Sequence, residues 1–341
     1  MLKTEIKRLT LAHTWTISRN SSDYKDNVIV TLEKDGIKAI GEAAPNIRYD
    51  EDADRTVQRI MSNQNLFEQN DLFRYQDFKK KLDMRITDQS CAKAALDMMV
   101  LDWVGKSLKV PVYKMLGLSP ENAPLTSFSI GIDTPGNMQD RVREMAHMPI
   151  FKIKLGKEND REIITAIRQV TDHAIRVDAN EGWKNKEKAI KNIEWLDKQN
   201  VEFVEQPMPA AMLEEAAWLK ERSPLPLIAD EAVKKTADIP KLAQAYHGIN
   251  IKLMKSGGIL EALSMIHIAR AMEMQIMLGC MVETSVAISA AAQIAPLVDF
   301  IDLDGNILLK DDPYTGVKQK NGRLIYSDLP GLGIEINNPI S

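Results

Sequence analysis

Eight short runs rich in β-branched and apolar residues alternate with amphipathic helical runs from about residue 125 onward. Such alternation predicts parallel strands joined by right-handed crossovers. Eight units favour a closed TIM-type barrel over an open doubly wound sheet. The predicted strands are LTSFSIGI (125–132), IFKIKLG (150–156), AIRVDAN (174–180), VEFVEQP (201–207), PLIADEA (226–232), INIKLMK (249–255), IMLGCMVE (276–283) and FIDLDG (300–305).

Nearly every predicted strand carries a charged residue close to its C-terminal end. These residues recur about every 25 positions, which matches one strand, one helix and two short loops. The interior of such a barrel is normally apolar, and its active site lies at the C-terminal ends of the strands. The pattern therefore predicts a functional site at that face. The residues are Lys154, Asp178, Glu205, Asp230, Lys252, Asp302 and Asp304.

The chain before the barrel has a different pattern. Two β-rich runs within residues 27–42 flank Asp35-Gly36, which is the signal of a hairpin, and residues 51–106 are helically periodic. We expect a fold of the α/β class with three parts. They are an α+β capping domain at 1–120, a (β/α)7β barrel at 121–310, and a tail at 311–341 that packs on the capping domain and completes it.

Side-chain alternation predicts which charges face the barrel interior. Residues i and i+2 of a strand share a face, so Lys152 and Lys154 point the same way. Asp230 shares a face with Ile228 and is expected to point inward, whereas Glu231 is expected to point away.

Three carboxylates, Asp178, Glu205 and Asp230, come from consecutive predicted strands. Carboxylate oxygens suit hard divalent cations, and Mg²⁺ combines a few of them with waters and substrate oxygens. Without a cation, three convergent carboxylates would repel one another. The sequence therefore predicts one Mg²⁺ per active site.

Lysines precede and follow this trio along the chain, with Lys152 and Lys154 on the second predicted strand and Lys252 on the sixth. These strands lie on opposite sides of an eight-stranded barrel, so a bound substrate would have an amine at each face. Removal of a proton α to a carboxylate places charge on the carboxylate oxygens, and a metal there stabilises the enediolate. Lys154 is then a plausible base, and Lys152 lowers the pKa of Lys154 by like-charge repulsion.

These motifs together resemble the enolase superfamily, in its muconate-lactonizing-enzyme subgroup. The segments that carry the resemblance are Phe-Lys152-Ile-Lys154, Val-Asp178-Ala-Asn180, Val-Glu205-Gln206-Pro207, Ala-Asp230-Glu231 and Ile-Lys252-Leu-Met-Lys-Ser-Gly257-Gly258. The resemblance covers most of the chain. It implies that Asp178, Glu205 and Asp230 ligate the metal and that Lys154 and Lys252 are the two acid/base lysines.

The last strand narrows the implied reaction. Asp302-Leu-Asp304-Gly resembles the Asp-x-Asp motif of dipeptide epimerases, which binds the substrate's α-ammonium group. The resemblance thus implies an isomerase that epimerises a dipeptide by two-lysine proton transfer, with L-Ala-D/L-Glu as the first expected substrate. Peptidoglycan recycling is the implied pathway.

A loop near the N-terminus reads the second side chain of the substrate in this group. The corresponding segment is TISRNSSDYKDN (16–27), whose cations for a glutamate γ-carboxylate are Arg19 and Lys25. Arg19 is the better geometric match, because a guanidinium binds a carboxylate as a fork.

Two alternatives remain open from the residues. An o-succinylbenzoate synthase or muconate-type cycloisomerase would share the lysines and carboxylates, but its substrate has no ammonium group for Asp302 and Asp304. A barrel acting only as a binding or structural protein is disfavoured, because every candidate catalytic residue is present.

The composition of the chain argues against several classes of binding partner. The formal net charge of −4 over 341 residues argues against a nucleic-acid or membrane-surface protein. No run approaches the ~20 apolar residues of a membrane span, and the first residues do not form a signal peptide. Two distant cysteines, Cys91 and Cys280, suit a reducing cytoplasm. We also expect a homo-oligomer.

Overall fold

A computed structural model describes residues 1–336. Its main feature is a sheet of eight parallel strands that follow one another in chain order. The first and last of these strands meet through a bridge between Thr126 and Ile301, which closes the sheet into a barrel. The predicted TIM-type barrel is confirmed. The strands are β4 (Phe128–Ile130), β5 (Ile150–Lys154), β6 (Ala174–Asp178), β7 (Val201–Glu205), β8 (Leu227–Ala229), β9 (Gly248–Lys252), β10 (Gln275–Gly279) and β11 (Phe300–Asp302).

Each of the first seven barrel strands is followed by at least one helix, as a (β/α)7β order requires. Aliphatic side chains on these helices pack on the outward faces of the strands and are buried, which holds the helices against the barrel. The helices are α6 (Pro135–Glu144), α7 (Asp160–Arg168), α8 (Lys186–Asp197), α9 (Leu213–Lys220), α10 (Ile239–Leu242), α11 (Leu253–Ser256), α12 (Ile259–Ala271) and α13 (Ser285–Ala292).

The N-terminal region contains a three-stranded antiparallel sheet. Its strands are β1 (Leu2–Thr16), β2 (Ser21–Lys34) and β3 (Ile37–Ala43). Asp35 and Gly36 both have positive φ, as the predicted β2–β3 turn requires. β1 was not predicted: most of its side chains are exposed, so it lacks the regular alternation that marks a half-buried strand.

Helices cover the N-terminal sheet, and α4 packs most closely against it. A Cβ atom added to Gly41 of β3 would lie 2.0 Å from the carbonyl oxygen of Ala95, so only glycine permits this approach. Most of α4 is buried because it lies between the sheet and the barrel. The helices are α1 (Ala53–Met61), α2 (Asn65–Gln69), α3 (Tyr75–Arg85), α4 (Ser90–Leu108) and α5 (Val112–Met115).

The tail returns to the N-terminal region, as expected. Just before the tail, Leu309 forms a bridge with Leu11. Within the tail, Tyr314 packs against Ile29 and Ile40. The domain boundaries at 120 and 310 stay predictions, and residues 337–341 of the predicted tail lie outside the described residues. The tail strands are β12 (Tyr314–Thr315), β13 (Lys318–Lys320), β14 (Arg323–Ile325) and β15 (Glu335–Ile336).

Two buried carboxylates of the N-terminal region cap barrel helices. Asp97 accepts a hydrogen bond of 2.6 Å from the backbone N–H of Ile259, at the start of α12. Glu42 accepts from the N–H groups of Thr284 and Ala287, at the start of α13. Unpaired N–H groups at a helix start favour a carboxylate, so these contacts dock the N-terminal region on the barrel.

No helix within residues 1–336 combines the length and the apolar character that a membrane crossing needs.

Candidate active site

The three predicted metal ligands converge at the mouth of the barrel. Asp178 and Glu205 are the last residues of β6 and β7, and Asp230 follows β8 directly. One carboxylate oxygen from each lies within 4.8 Å of the others. All three residues are at most 1% exposed. The parallel register accounts for this, because Asp178 is aligned with Glu205 in neighbouring strands.

The electrostatics of this trio fit a hard divalent cation. Burial, together with the negative charge of Asp178, raises the pKa of Glu205 to about 7. Burial opposes ionisation of Asp178 too, but Lys154 and Lys152 outweigh it and lower the pKa of that carboxyl. The carboxylates therefore depend on nearby positive charge, and their oxygens are the donors that Mg²⁺ prefers.

Lys154 and Lys252 flank the trio from opposite sides. The Nζ atom of Lys154 lies 2.6 Å from Oδ2 of Asp178, and that of Lys252 lies 2.8 Å from Oδ2 of Asp230. Their strands, β5 and β9, are four steps apart in the eight-stranded sheet. Both lysines line one cavity, so a molecule held there meets an amine on each side.

Lys152 lies below Lys154 and is surrounded by carboxylates. Its Nζ atom donates a hydrogen bond of 2.9 Å to Oδ2 of Asp302. It also lies 2.7 Å from Oε2 of Glu205, an ion pair without the angles of a hydrogen bond. Burial lowers the pKa of Lys152, but the charges of Asp302 and Glu205 outweigh it and hold the pKa well above its usual value. Lys152 is therefore a fixed positive charge.

Asp302 and Asp304 lie where the first and last barrel strands meet. Oδ1 of Asp302 accepts hydrogen bonds from the hydroxyls of Ser127 and Ser129, at 2.7 and 3.0 Å. Oδ2 of Asp304 accepts one of 2.5 Å from the backbone N–H of Ser129. Despite burial, Lys152 and Lys154 lower the pKa of Asp302 to about 2, whereas burial and the charge of Asp302 raise that of Asp304 to about 7.

Arg19 lies over the cavity but already has protein partners. Its guanidinium donates to Oε2 of Glu181 at 2.9 Å, to Oε1 of Glu231 at 2.7 Å and to the carbonyl oxygen of Asn180 at 2.7 Å. Arg48 binds the same Glu181. These contacts fasten two loops of the N-terminal region to the barrel. Lys25 lines the same cavity, is half-buried, and has no ion pair within residues 1–336.

Comparison with known proteins identifies the family to which this architecture belongs. Residues 3–117 match the N-terminal domain of the mandelate racemase/muconate lactonizing enzyme family, and residues 137–340 match its enolase C-terminal domain-like family. The chain belongs to the enolase superfamily. The resemblance inferred from the motifs is confirmed.

Relatives within this superfamily are epimerases and racemases. The L-Ala-D/L-Glu epimerase of Bacteroides thetaiotaomicron is 42% identical over 327 residues, which cover 96% of this chain and 85% of that protein. The L-Ala-D/L-amino acid epimerase of Pedosphaera parvula is 38% identical and covers 96% of each chain. A dipeptide epimerase of Enterococcus faecalis, solved with Mg and L-Leu-L-Tyr, has a TM-score of 0.93 at 30% identity and covers 98% of each chain. This enolase-superfamily member is therefore an isomerase.

One expectation about this enolase-superfamily site is wrong. Glu231 was expected to point away from the interior, yet it is buried, lines the cavity and binds Arg19. β8 ends at Ala229, so the alternation of a strand no longer applies at Glu231.

Two further residues belong to the site and were not predicted to act there. Lys255 is buried and donates to Oδ1 and to the carbonyl oxygen of Asp230, at 2.5 and 2.6 Å. Its spacing after Lys252 was a usable signal, because α11 turns the chain back toward the barrel mouth. Tyr49 lines the cavity from the N-terminal region. It lies far along the chain from the strand-end motifs, so no sequence spacing indicates that it belongs to the site.

Proposed function

We propose that this isomerase is a Mg²⁺-dependent dipeptide epimerase that inverts the α-carbon next to the free carboxylate, with L-Ala-D/L-Glu as preferred substrate. The observation that carries the proposal is the placement of Lys154 and Lys252 on opposite sides of the buried carboxylate trio, in one cavity with Asp302 and Asp304. Two opposed amines suit proton removal from one face and return to the other.

One Mg²⁺ would be held by Asp178, Glu205 and Asp230. The bound ion would supply positive charge to the substrate carboxylate, whose oxygens gain negative charge when the α-proton leaves. Lys255 and Lys252 both contact Asp230 and fix the direction of its carboxylate.

Lys154 and Lys252 carry out the two proton transfers. Lys154 takes the α-proton from one face while Lys252 gives a proton to the other, and the reverse reaction exchanges their roles. Lys152 lies two residues before Lys154 on β5, and its Nζ atom is held beneath the site by Asp302 and Glu205. It would assist by adding positive charge next to the carboxylates that hold the metal.

Asp302 and Asp304 would receive the α-ammonium group. A free amine requires an anionic partner, and Asp302 is ionised at neutral pH. A bound ammonium would also favour ionisation of Asp304. A cycloisomerase or o-succinylbenzoate synthase substrate offers no such cation, so this pair of carboxylates separates the epimerase from that alternative.

The side chain of the second residue would meet Lys25. Arg19 already neutralises Glu181 and Glu231, whereas Lys25 faces the cavity with its charge unpaired by the residues described. Burial lowers the pKa of Lys25, and an anionic side chain would offset that penalty. We therefore assign the γ-carboxylate to Lys25 and the closure of the loop to Arg19.

The test is a dipeptide library incubated with enzyme and Mg²⁺ in D₂O. Deuterium at the α-carbon of the second residue, with L-Ala-L-Glu among the best substrates, supports the proposal. N-acetylated L-Ala-L-Glu is the matched control and should exchange poorly. Absence of exchange from every dipeptide, or equal exchange from blocked and free substrates, would reject it. The cytoplasmic location, peptidoglycan recycling and homo-oligomer stay predictions.

A further inference from the structure

The carboxylate of Glu205 is held from two sides inside the barrel. Its Oε2 atom lies 2.7 Å from Nζ of Lys152, and its Oε1 atom accepts a hydrogen bond of 2.8 Å from Nδ2 of Asn250. These residues lie on β5, β7 and β9, and inward side chains of alternate strands form common layers in such a barrel. Asn250 is buried and has no role in the mechanism above.

The amide of Asn250 is oriented for this one contact. An ionised carboxylate only accepts hydrogen bonds, so the amide nitrogen must face Glu205. The Oδ1 atom of Asn250 is buried and has no hydrogen-bond donor within residues 1–336. Burial of an amide oxygen without a donor costs free energy, so packing alone does not account for an amide here.

Gly279, on β10, leaves the space that this amide occupies. A Cβ atom added to Gly279 would lie 2.7 Å from Oδ1 and 2.8 Å from Nδ2 of Asn250. The φ angle of Gly279 is not positive, so its backbone does not itself require glycine. The backbone of Asn250 is fixed, because its carbonyl oxygen accepts a hydrogen bond of 3.0 Å from Nζ of Lys255. A side chain at Gly279 would therefore displace the amide group of Asn250 from Glu205.

We propose that Asn250 is a positioning residue of the metal site, which fixes the direction of the Glu205 carboxylate in the space that Gly279 leaves. The inference rests on the proposed function, which assigns Glu205 to Mg²⁺. An amide orients a carboxylate without adding a positive charge that would repel the cation. Groups that hold metal ligands in this way typically contribute roughly ten- to a hundredfold to metal affinity.

The experiment measures the dissociation constants of Mg²⁺ and Ca²⁺ by calorimetric titration of the enzyme without substrate. Mg²⁺ demands nearly octahedral coordination, whereas Ca²⁺ tolerates irregular coordination. Asn250→Ala should therefore weaken Mg²⁺ binding roughly ten- to a hundredfold and Ca²⁺ binding less than about threefold. Gly279→Ala, which keeps the amide but displaces it, should show the same selective loss. Gly136→Ala is the matched control, because its φ is not positive and no atom lies within 4 Å of the added Cβ; it should bind both ions normally.

The double variant tests whether Gly279 acts through Asn250. It should bind Mg²⁺ within about twofold of Asn250→Ala, since the amide that Gly279→Ala displaces is already absent. Losses that multiply in the double variant would mean that the two residues act independently, and would overturn the inference.

Thermal unfolding identifies any variant that does not fold, and Gly279→Ala carries the test if Asn250→Ala is such a variant. Unchanged Mg²⁺ affinity in a folded variant, or equal losses for Mg²⁺ and Ca²⁺, would overturn this inference alone. A wild-type enzyme that binds no Mg²⁺ would instead overturn the metal assignment of the proposed function, and the inference with it.

Discussion

At the scale of single residues, three buried carboxylates crowd together where each one disfavours ionisation of the next. Removing divalent cations by exhaustive chelation should therefore abolish α-proton exchange, and Mg²⁺ should restore it. Glu205→Gln removes one anionic donor and should lower kcat by about two to three orders of magnitude or more, because electrostatic stabilisation is lost. Calorimetric titration with Mg²⁺ should show weaker binding by this variant. Full exchange after chelation would contradict the metal assignment.

The two lysines are predicted to serve different faces of the α-carbon. Lys154→Ala should lose exchange from one epimer of the second residue, and Lys252→Ala from the other, because each mutant lacks the amine that faces the proton. Deuterium incorporation, followed separately from each epimer by NMR, measures this. A mutant that still epimerises at the wild-type rate in both directions would refute the two-base mechanism. If only one of the two substitutions lowered activity, the result would favour the synthase alternative.

Substitutions of Lys25 and Arg19 are predicted to have different effects on the kinetics. Lys25→Met should lower kcat/KM for L-Ala-L-Glu roughly ten- to a hundredfold relative to L-Ala-L-Gln, since a charge-assisted hydrogen bond contributes about 1.5–3 kcal/mol. Arg19→Met should instead raise KM for both dipeptides alike, because it unfastens the loop from Glu181 and Glu231. A loss of glutamate preference in Arg19→Met with none in Lys25→Met would reverse these assignments.

At the scale of secondary-structure elements, the sequence was sufficient to predict the barrel, because the strand–helix pattern of a barrel repeats along the chain. Eight strand–helix units, with a charge at nearly every strand end, predict both the closed sheet and the ring of ionisable groups. The periodicity is local, and the parallel register then aligns residues such as Asp178 and Glu205 automatically. The site residues supplied by regular strands were therefore predictable.

Elements outside this repeat were harder to predict. β1 is largely exposed and contains a register break, so no simple period marks it. Glu231 lies past the end of β8, where strand alternation no longer determines direction. The contacts of Arg19 join loops separated by more than 150 residues, and one sequence contains no local signal for such pairs.

The junction between α11 and α12 depends on a glycine. Gly258 has φ +122°, and a Cβ atom there would lie 2.4 Å from Oδ2 of Asp97. Gly258→Ala should therefore reduce the free energy of unfolding by more than the roughly 1 kcal/mol of backbone strain alone, as measured by urea denaturation. Gly117→Ala is the matched control, because its φ is +70° and no atom lies within 4 Å of the added Cβ. Equal losses in the two variants would show that Asp97 does not constrain this junction.

At the scale of the whole molecule, the N-terminal region supplies the loop that covers the barrel mouth and the carboxylates that cap barrel helices. Asp97, on α4, holds the start of α12, and α12 follows the segment that carries Lys252 and Lys255. Docking of the N-terminal region and support of the active-site segment therefore share one contact.

This contact should give the stability of the molecule a specific dependence on pH. Burial raises the pKa of Asp97 to about 7, although hydrogen bonds from Ile259 and Leu260 and the charge of Lys79 oppose the rise, and Asp83 adds to it. An aspartate in the unfolded chain releases its proton near pH 4. Between these values the native state keeps a proton that the unfolded chain has lost, so the contribution of Asp97 to stability falls as pH rises from about 4 to 7.

The variant Asp97→Asn isolates that contribution, because its amide oxygen still accepts from Ile259 but carries no titrating proton. The difference in unfolding free energy, wild type minus variant, should fall by up to about 1.4 kcal/mol per pH unit through the window, the limit for one proton, and then level off above pH 7. Urea denaturation of both proteins between pH 4.5 and 8 measures it. Parallel profiles would mean that Asp97 does not hold a proton in the native state. A constant offset would then report only the hydrogen bond that joins the N-terminal region to α12.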